Sequence, residues 1–250
     1  MTKTTRALIL DFGGVVTRTL FETHDITERA LGRQPGTLTW RGPFDPAGDP
    51  LWTRMQAREI SERDYWMERT RETGRLVGED WTDMKTFVQR ARGAEAELVL
   101  RPEARDTILA ARAAGLKLAI LSNELDLFYG ADFRDRLALL GLFDVVTDAT
   151  YTHILKPDPR AYAAVTDGLQ LSAADCVFVD DQPRNVAGAV AAGTRADVGK
   201  DTSLAVAIAG SVVISAFVAL TLSPSMAALL LKKNGFVPVY NAGSWTALNA

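Results

Sequence analysis

The chain has 250 residues, with 28 Lys and Arg against 31 Asp and Glu, so its formal net charge is −3. This balance gives no electrostatic reason to expect nucleic acid as a partner. Apolar residues make up 47% of the chain and charged residues 24%, which excludes a disordered, collagenous or disulfide-stapled protein.

The amino-terminal region predicts a buried strand and no leader. The apolar run Ala7–Leu10 follows Lys3 and Arg6 and is too short for a signal peptide. The single cysteine, Cys176, cannot form an internal disulfide and lies in an apolar run, so we expect a buried thiol. These features predict a cytoplasmic, reducing environment for the first 200 residues.

The interval 18–100 follows the first strand and differs from the rest, because it is rich in Arg, Glu and Trp and contains no clear strand. Thr19–Leu31 and Ser61–Thr73 are predicted as amphipathic helices, with Ser61 as the N-cap of the second. The stretch 35–50 contains four prolines and is predicted as loop. Together they predict a helical cap inserted over the carboxyl end of the first strand, where open α/β sheets bind ligands.

After residue 100, short apolar runs alternate with helical patterns. Such alternation is typical of a doubly wound α/β fold with a parallel sheet. The further predicted strands are Leu116–Leu121, Phe143–Val146 and Cys176–Val179, and the predicted helices start at Pro102 or cover Ala131–Leu140, Arg160–Gly168 and Arg184–Ala192.

Polar residues capable of catalysis follow these strands. Four segments stand at the predicted strand ends or on the turns beside them: LDFGGVVT at 10–17, ILSN at 120–123, LKPDP at 155–159 and VFVDDQ at 177–182. Each has an ordinary structural reading as a turn or cap, but their occurrence together and in order favours a catalytic site. A carboxylate at a strand end can be a nucleophile or a metal ligand, and a lysine with Mg²⁺ can neutralise an anionic substrate.

These four segments resemble the motifs of the haloacid dehalogenase superfamily over about residues 6–196. The resemblance implies a Rossmann-like core, 1–17 and 101–200, with a helical cap, 18–100. It implies Asp11 as the nucleophile that takes up a phosphoryl group, with catalytic roles for Ser122 and Lys156. It also implies Mg²⁺ held by Asp11, the Gly13 carbonyl, Asp180 and Asp181, and contacts of Asn123 and Gly14 with a small phosphorylated substrate.

One position departs from the superfamily's phosphatases, which usually carry a second acid two residues after the nucleophile. Here that residue is Gly13. Loss of general acid–base help typically costs about 10²–10⁴-fold in rate. Three interpretations follow: substrates whose leaving group needs little protonation, such as a sugar 1-phosphate or an acyl phosphate; replacement by water or another group, with His24 and His153 the candidates; or a weak or non-catalytic relative.

Dehalogenases of the superfamily also lack that second acid, so a 2-haloacid dehalogenase is a further alternative. The pair Asp180 and Asp181 favours a magnesium-dependent phosphatase over dehalogenation. In the cap, Arg41 is a candidate for binding an anionic substrate, although a solvated arginine is the simpler interpretation. No feature of the sequence names the substrate.

The tail, 201–250, is of a different kind, since its charges are Asp201, Lys232 and Lys233. The first 200 residues therefore hold 26 basic and 30 acidic groups. Leu204–Leu222 gives 19 mostly apolar positions, about 28 Å as a helix, close to the roughly 30 Å of a bilayer's hydrocarbon core. We therefore predict a C-terminal hydrophobic helix, a candidate transmembrane segment at 204–231 that would anchor the catalytic domain to a membrane. The alternative is a buried helix of the core.

The stretch SAFVALTLSP at 215–224 resembles one transmembrane helix of resistance-nodulation-division efflux transporters. It contains no ion-coupling acid, so transport does not follow from it. A cytoplasmic amino-terminal domain would place Lys232 and Lys233 outside, against the positive-inside tendency. This conflict suggests a chimera in which the superfamily's final strand and helix are lost after Thr194.

Overall fold

The computed structural model describes residues 5–92, 96–198, 238–241 and 244–247. The main sheet has five parallel strands in the order β3-β2-β1-β4-β5. Their bounds are β1 Ala7–Leu10, β2 Lys117–Ser122, β3 Val145–Asp148, β4 Cys176–Asp180 and β5 Arg195–Val198. With β1 central, the chain adds strands on both sides of it, as predicted for a doubly wound fold.

Ten α-helices are found in the described residues. Four lie between β1 and residue 100: α1 His24–Ala30, α2 Pro50–Gln56, α3 Glu62–Leu76 and α4 Met84–Arg92. The others are α5 Pro102–Ala113, α6 Leu125–Tyr129, α7 Phe133–Arg136, α8 Ala149–Thr152, α9 Pro159–Leu169 and α10 Pro183–Ala191. Short 3₁₀ turns occupy Gly42–Phe44, Ala96–Val99, Ala138–Leu142 and Ala173–Asp175.

Alternate residues of the central strands face two apolar clusters, because side chains of a strand point to opposite faces in turn. Leu8 and Leu10 of β1 belong to the larger cluster, which also contains buried aromatic side chains of the 18–100 segment. Ala7 and Ile9 belong to the other, where α9 and α10 pack. Both faces of the sheet are therefore covered, which explains why its strands are uninterrupted apolar runs. Cys176 lies buried in the second cluster as a free thiol, as predicted.

The two ends of the 18–100 segment are adjacent. The Arg18 amide donates to the Val99 carbonyl at 2.7 Å, and the Arg101 amide donates to the Val16 carbonyl at 3.0 Å. The chain thus leaves the sheet after β1 and returns to it at neighbouring points, so a long helical insertion is accommodated without displacing β1 or α5.

Several predicted boundaries were wrong. The helix expected over 131–140 is a single turn, α7, followed by a 3₁₀ turn, because Leu137 between them has an extended backbone. The first cap helix begins at His24 rather than Thr19, and β3 begins two residues later than predicted. The expected loss of the final strand after Thr194 is also wrong, since Arg195–Val198 forms β5 beside β4.

The predicted hydrophobic helix at 204–231 and its resemblance to a transporter helix concern residues outside the described part of the chain, and the presence of β5 removes the strand loss on which the proposed chimera depended. In the described part, no helix is long and apolar enough to cross a membrane. The described residues of the tail form an antiparallel pair, β6 Pro238–Asn241 and β7 Ser244–Ala247.

Candidate active site

The carboxyl ends of three neighbouring strands bring together the residues singled out from the sequence. Leu10 is in register with Ile120 of β2 and Val179 of β4, so the next residue, Asp11, lies level with the ends of both. The Asp11 amide continues the ladder by donating to the Val179 carbonyl at 2.9 Å. Ser122 ends β2 and is 6% exposed. Asp11, Ser122 and Asp180 therefore lie at one edge of the sheet.

Lys156 lies between two of the carboxylates. Its Nζ is 2.8 Å from Asp11 Oδ1 and 2.6 Å from Asp180 Oδ2, and its side chain is 2% exposed. The Phe178 ring lies 5.4 Å from Nζ and supplies a further favourable contact for the cation. Because all three groups are shielded from water, this ion pairing is strong and keeps Lys156 charged.

Asn123 holds the backbone of Lys156. The Lys156 amide donates to Asn123 Oδ1 at 2.7 Å, and Asn123 Nδ2 donates to the Lys156 carbonyl at 3.2 Å. These two bonds fix the lysine turn against the end of β2, and the substrate contact suggested for Asn123 stays a prediction.

Asp180 is fully buried and accepts hydrogen bonds on both oxygens. Besides Lys156, its partners are the Gln182 amide at 2.8 Å and Asn185 Nδ2 at 3.0 and 3.1 Å. Asn185 was missed from the sequence, although its position on the first turn of a helix that follows Asp180 was a usable signal. It orients the Asp180 carboxylate for Lys156.

Three carboxylates converge at this edge. One oxygen each of Asp11, Asp180 and Asp181 lies within 4.8 Å of the others. Burial raises the pKa of Asp11 to about 7, against the lowering effect of Lys156, and the Asp180 charge raises it further. Burial, followed by the charges of Asp11 and Asp180, raises the pKa of Asp181 to about 8. A cluster that resists ionisation in this way is one that a cation would stabilise.

The glycine turn after Asp11 brings Asp181 close to the backbone. Gly14 has φ +86°, and a Cβ there would lie 2.6 Å from Asp181 Oδ2, so a side chain is excluded both by conformation and by space. Arg101 Nε donates to the Gly14 carbonyl at 3.0 Å and fixes the turn. Gly13 differs, since it is exposed and no heavy atom lies within 4 Å of a Cβ built there.

The remaining candidates lie in other surroundings. His24 is buried in the cap with its ring 4.4 Å from that of Trp40, and neither ring nitrogen has a hydrogen-bond partner among the described residues. Arg41 is exposed and its charge acts on His24. His153 is exposed at the end of α8. Among the described residues, neither histidine forms a hydrogen bond or ion pair with Asp11, and a role for Arg41 in substrate binding stays a prediction.

The first turn of α3 reaches both loops that carry the candidate residues. Arg63 Nη2 is 2.6 Å from Glu124 Oε1, directly after Asn123, and Arg184 Nη2 is 3.0 Å from Glu62 Oε2. The Glu62 charge also contributes to the raised pKa of Asp181. The cap segment thus contacts the site edge of the sheet, as the insertion point predicts.

The comparison with known protein families agrees with this geometry. The model of the haloacid dehalogenase-like hydrolases matches residues 5–193, about three quarters of the chain. The chain belongs to this family. The match covers all four motifs and the whole of the 18–100 segment.

Among curated relatives of this hydrolase, "Phosphatase MT3486" of Mycobacterium tuberculosis is 40% identical over 95 residues, 38% of this chain. The plasmid-encoded protein CbbY of Cupriavidus necator is 36% identical over 118 residues, 44% of this chain. The chain aligns with less than half of each of these relatives, 44% in both cases.

Solved structures give the same fold. A dehalogenase crystal structure has a TM-score of 0.52 and 24% identity, and the match covers 78% of this chain and 85% of that one. A haloacid dehalogenase-superfamily hydrolase from Geobacter sulfurreducens has a TM-score of 0.51 at 17% identity, covering 78% and 87%. At these identities the likeness extends to the fold and not to the substrate.

Proposed function

We propose that this hydrolase is a Mg²⁺-dependent phosphatase that acts on a small phosphorylated metabolite through an aspartyl-phosphate on Asp11. The observation that carries the proposal is the set of three carboxylates, Asp11, Asp180 and Asp181, with one lysine between two of them. Two negative charges of this set have no counter-charge when all three acids are ionised. A divalent cation balances that charge, and oxygen ligands of this kind suit Mg²⁺.

The fit to a cation also rests on the raised pKa values of Asp11 and Asp181, which show that their ionised forms are poorly compensated. Asp11, Asp180 and Asp181 would hold the ion, and the Gly13 carbonyl stays a further predicted ligand. The ion would neutralise the phosphoryl oxygens and bring them within reach of Asp11.

The chain's own residues have separate tasks in this reaction. An Asp11 oxygen attacks the phosphorus atom, and the Lys156 ammonium stabilises the negative charge of the phosphoryl group. The Ser122 hydroxyl, at the end of the neighbouring strand, donates a hydrogen bond to a phosphoryl oxygen. Asn123 and Asn185 fix Lys156 and Asp180, so that the charges need no rearrangement when the substrate binds.

The name of the mycobacterial relative, a phosphatase, supports the choice of phosphate esters as substrates. The dehalogenases among similar structures support only the fold, and release of halide by this chain would contradict the proposal.

The test is an assay of the purified chain with para-nitrophenyl phosphate and, separately, 2-chloropropionate, each with Mg²⁺ or with EDTA. We expect phosphate release that needs Mg²⁺ and no halide release. Asp11→Asn is expected to abolish turnover and the phosphorylated protein that is trapped when the reaction is stopped with acid. The control is Asp25→Asn, which changes an exposed aspartate paired with Arg29 on α1 and is expected to keep wild-type turnover. Halide release in EDTA, or phosphate release by Asp11→Asn at the wild-type rate, would overturn the proposal.

A further inference from the structure

Gly13 leaves open space two residues after the attacking carboxylate. It is exposed, and no heavy atom lies within 4 Å of the position that a Cβ would take. Its φ is outside the left-handed region that favours glycine, unlike that of Gly14. The absence of a side chain here is therefore not required by the backbone, and the space beside Asp11 is available to the group that leaves the phosphorus atom.

The polar groups nearest to Asp11 already form ion pairs or accept hydrogen bonds. Lys156 stays an ammonium ion because it is paired with both Asp11 and Asp180. Asp180 accepts hydrogen bonds on both oxygens, and Asp181 is ionised whenever it binds a cation. The hydroxyl of Ser122 donates hydrogen bonds but does not release a proton near neutral pH.

Groups somewhat farther away are engaged as well. The Tyr162 hydroxyl donates to the Asn185 carbonyl at 2.6 Å, and Glu62 is paired with Arg184. His24 is enclosed beside Trp40 in the cap. Glu124, directly after Asn123, is paired with Arg63. None of these described side chains takes the place two residues after Asp11, where Gly13 leaves open space.

We propose that this site selects phosphoryl compounds whose leaving group departs as a stable anion, namely acyl, enol and aryl phosphates, over phosphate esters of simple alcohols. The inference rests on the proposed function and narrows its substrate class. An alkoxide is a poor leaving group unless it is protonated as the bond to phosphorus breaks, and that help is worth about 10²–10⁴-fold. A carboxylate, enolate or phenolate leaves without it.

The first step balances without an acid. An Asp11 oxygen forms a bond to phosphorus, the bond from phosphorus to the leaving oxygen breaks, and the leaving group takes the electron pair and departs as an anion. In the second step, water attacks the phosphorus atom, the bond to Asp11 breaks, the carboxylate is regenerated, and both protons of the water remain on the product, dihydrogen phosphate.

The second step also lacks a side chain to take a proton from water. Hydrolysis of the aspartyl-phosphate is then slow compared with its formation from a good leaving group. The inference therefore includes a burst: one equivalent of leaving group released quickly, followed by slower steady turnover, with the phosphorylated protein detectable by mass spectrometry.

The test measures kcat/KM of the wild-type chain with Mg²⁺ for acetyl phosphate, for aryl phosphates made from phenols of increasing pKa, and for an alkyl phosphate. We expect kcat/KM to fall steadily as the leaving group becomes more basic, by at least about 10²-fold between para-nitrophenyl phosphate and the alkyl ester. An alkyl ester cleaved as fast as the aryl esters would overturn the inference.

A pair of variants tests whether the lack of an acid at position 13 causes the preference for good leaving groups. In Gly13→Asp, a carboxylic acid enters the open space, and the ratio of aryl to alkyl kcat/KM is expected to narrow by about 10-fold or more. Gly13→Asn has nearly the same shape but carries no transferable proton, so it is the matched control and should keep the wild-type ratio. Equal narrowing in both variants would contradict an acid–base origin.

Failure of this inference can be told apart from failure of the proposed function. A chain that releases no phosphate from any substrate and forms no phosphorylated Asp11 contradicts the phosphatase itself. A chain that forms phosphorylated Asp11 but shows no dependence on the leaving group contradicts only the narrower substrate class. Because the series uses the wild-type chain, it remains decisive even where a Gly13 variant does not fold.

Discussion

At the scale of single residues, the carboxylates of Asp11 and Asp181 connect the stability of the protein with pH. Their pKa values rise from 3.8 in an exposed side chain to about 7 and about 8, so the folded state binds protons that the unfolded state has lost. The contribution of these two carboxyl groups to stability therefore falls as pH rises from about 4 to about 8. A bound divalent cation would remove this loss, because it favours the ionised carboxylates.

We predict that the melting temperature without metal is lower at pH 8 than at pH 5, by on the order of 5–10 °C, and that Mg²⁺ raises it more at pH 8. Asp181→Asn, which cannot ionise, should flatten the dependence on pH, whereas Asp25→Asn should not. Differential scanning calorimetry with and without Mg²⁺ measures this. A melting temperature that depends on pH as steeply in Asp181→Asn as in the wild-type chain would contradict the assignment.

His24 acts in the opposite direction and at lower pH. Burial, with the charge of Arg41, lowers the pKa of its imidazole from 6.5 to about 4. The unfolded chain therefore takes up a proton on acidification before the folded chain does. Stability attributable to neutral His24 is present above pH 6.5 and is lost as pH falls towards 4.

We predict that His24→Phe gains about 2 kcal/mol in free energy of unfolding relative to wild type between pH 7 and pH 5. Urea titrations at the two pH values give the difference. His24→Asn removes packing against Trp40 as well as the titrating group, so its stability should start lower but gain by the same amount. A difference that stays constant with pH would refute the role of His24.

Sequence reasoning found the chemistry-bearing residues because polar side chains that interrupt apolar strands are conspicuous. Asp11, Ser122 and Asp180 are all found at neighbouring strand ends, with Lys156 beside them, as the motifs predicted. It could not find the partners that orient these groups. Whether Asn123 contacts a substrate or the backbone of Lys156 depends on two segments 33 residues apart, and sequence alone does not fix their distance.

At the scale of elements, α3 shows how a short helical turn links the cap to the sheet. Ser61 caps the helix as predicted, with a reciprocal bond between its backbone amide and Asp64. That capping box fixes the direction of the first turn, from which Glu62 faces Arg184 and Arg63 faces Glu124. Both pairs are partly exposed, so each contributes about 1 kcal/mol or less.

We predict that Glu62→Arg and Arg184→Glu each lower kcat/KM by up to about 5-fold, and that the double exchange recovers most of the loss. Steady-state kinetics of the four proteins gives the coupling energy. Glu68→Arg is the control on the same helix, because Glu68 pairs with Arg71 and Arg75 of α3 and, among the described residues, with no group of the sheet. Additive losses in the double variant would show that the contact plays no part.

Among the elements, the central strands were predicted most accurately, because they are fully buried and therefore uninterrupted apolar runs. Ala7–Leu10 has the predicted bounds and β4 is one residue longer than predicted. The start of β3 was predicted less accurately, because tertiary contacts decide it. The Asp144 carboxylate accepts from the Leu118 amide and pairs with Arg112, which holds 143–144 outside β3.

At the scale of the whole molecule, the parallel sheet lies entirely within the charge-rich first 200 residues. All five strands of the parallel sheet and both apolar clusters of the described residues lie between residues 5 and 198. The family model ends at 193. The hydrolase fold thus needs nothing that the structure describes beyond β5.

We predict that deletion of 201–250 leaves a folded protein. Its melting temperature should lie within about 2 °C of that of the full chain, and its rate of phosphate release per mole of protein should be the same. Circular dichroism and the Mg²⁺-dependent assay measure this. The full chain under the same conditions is the reference, and carbonate washing of membranes from expressing cells reports on 204–231 independently. An insoluble or inactive product would show that the tail belongs to the hydrolase fold.

The adjacency of residues 16–18 and 99–101 has a consequence for how such a protein diversifies. A segment whose two ends are hydrogen-bonded neighbours can be exchanged for another of different length while Asp11, Asp180 and their strands stay in place. Recombination at these two points would join a new segment to an unchanged sheet edge. The length and sequence of this segment can therefore change while the sheet beside it stays the same.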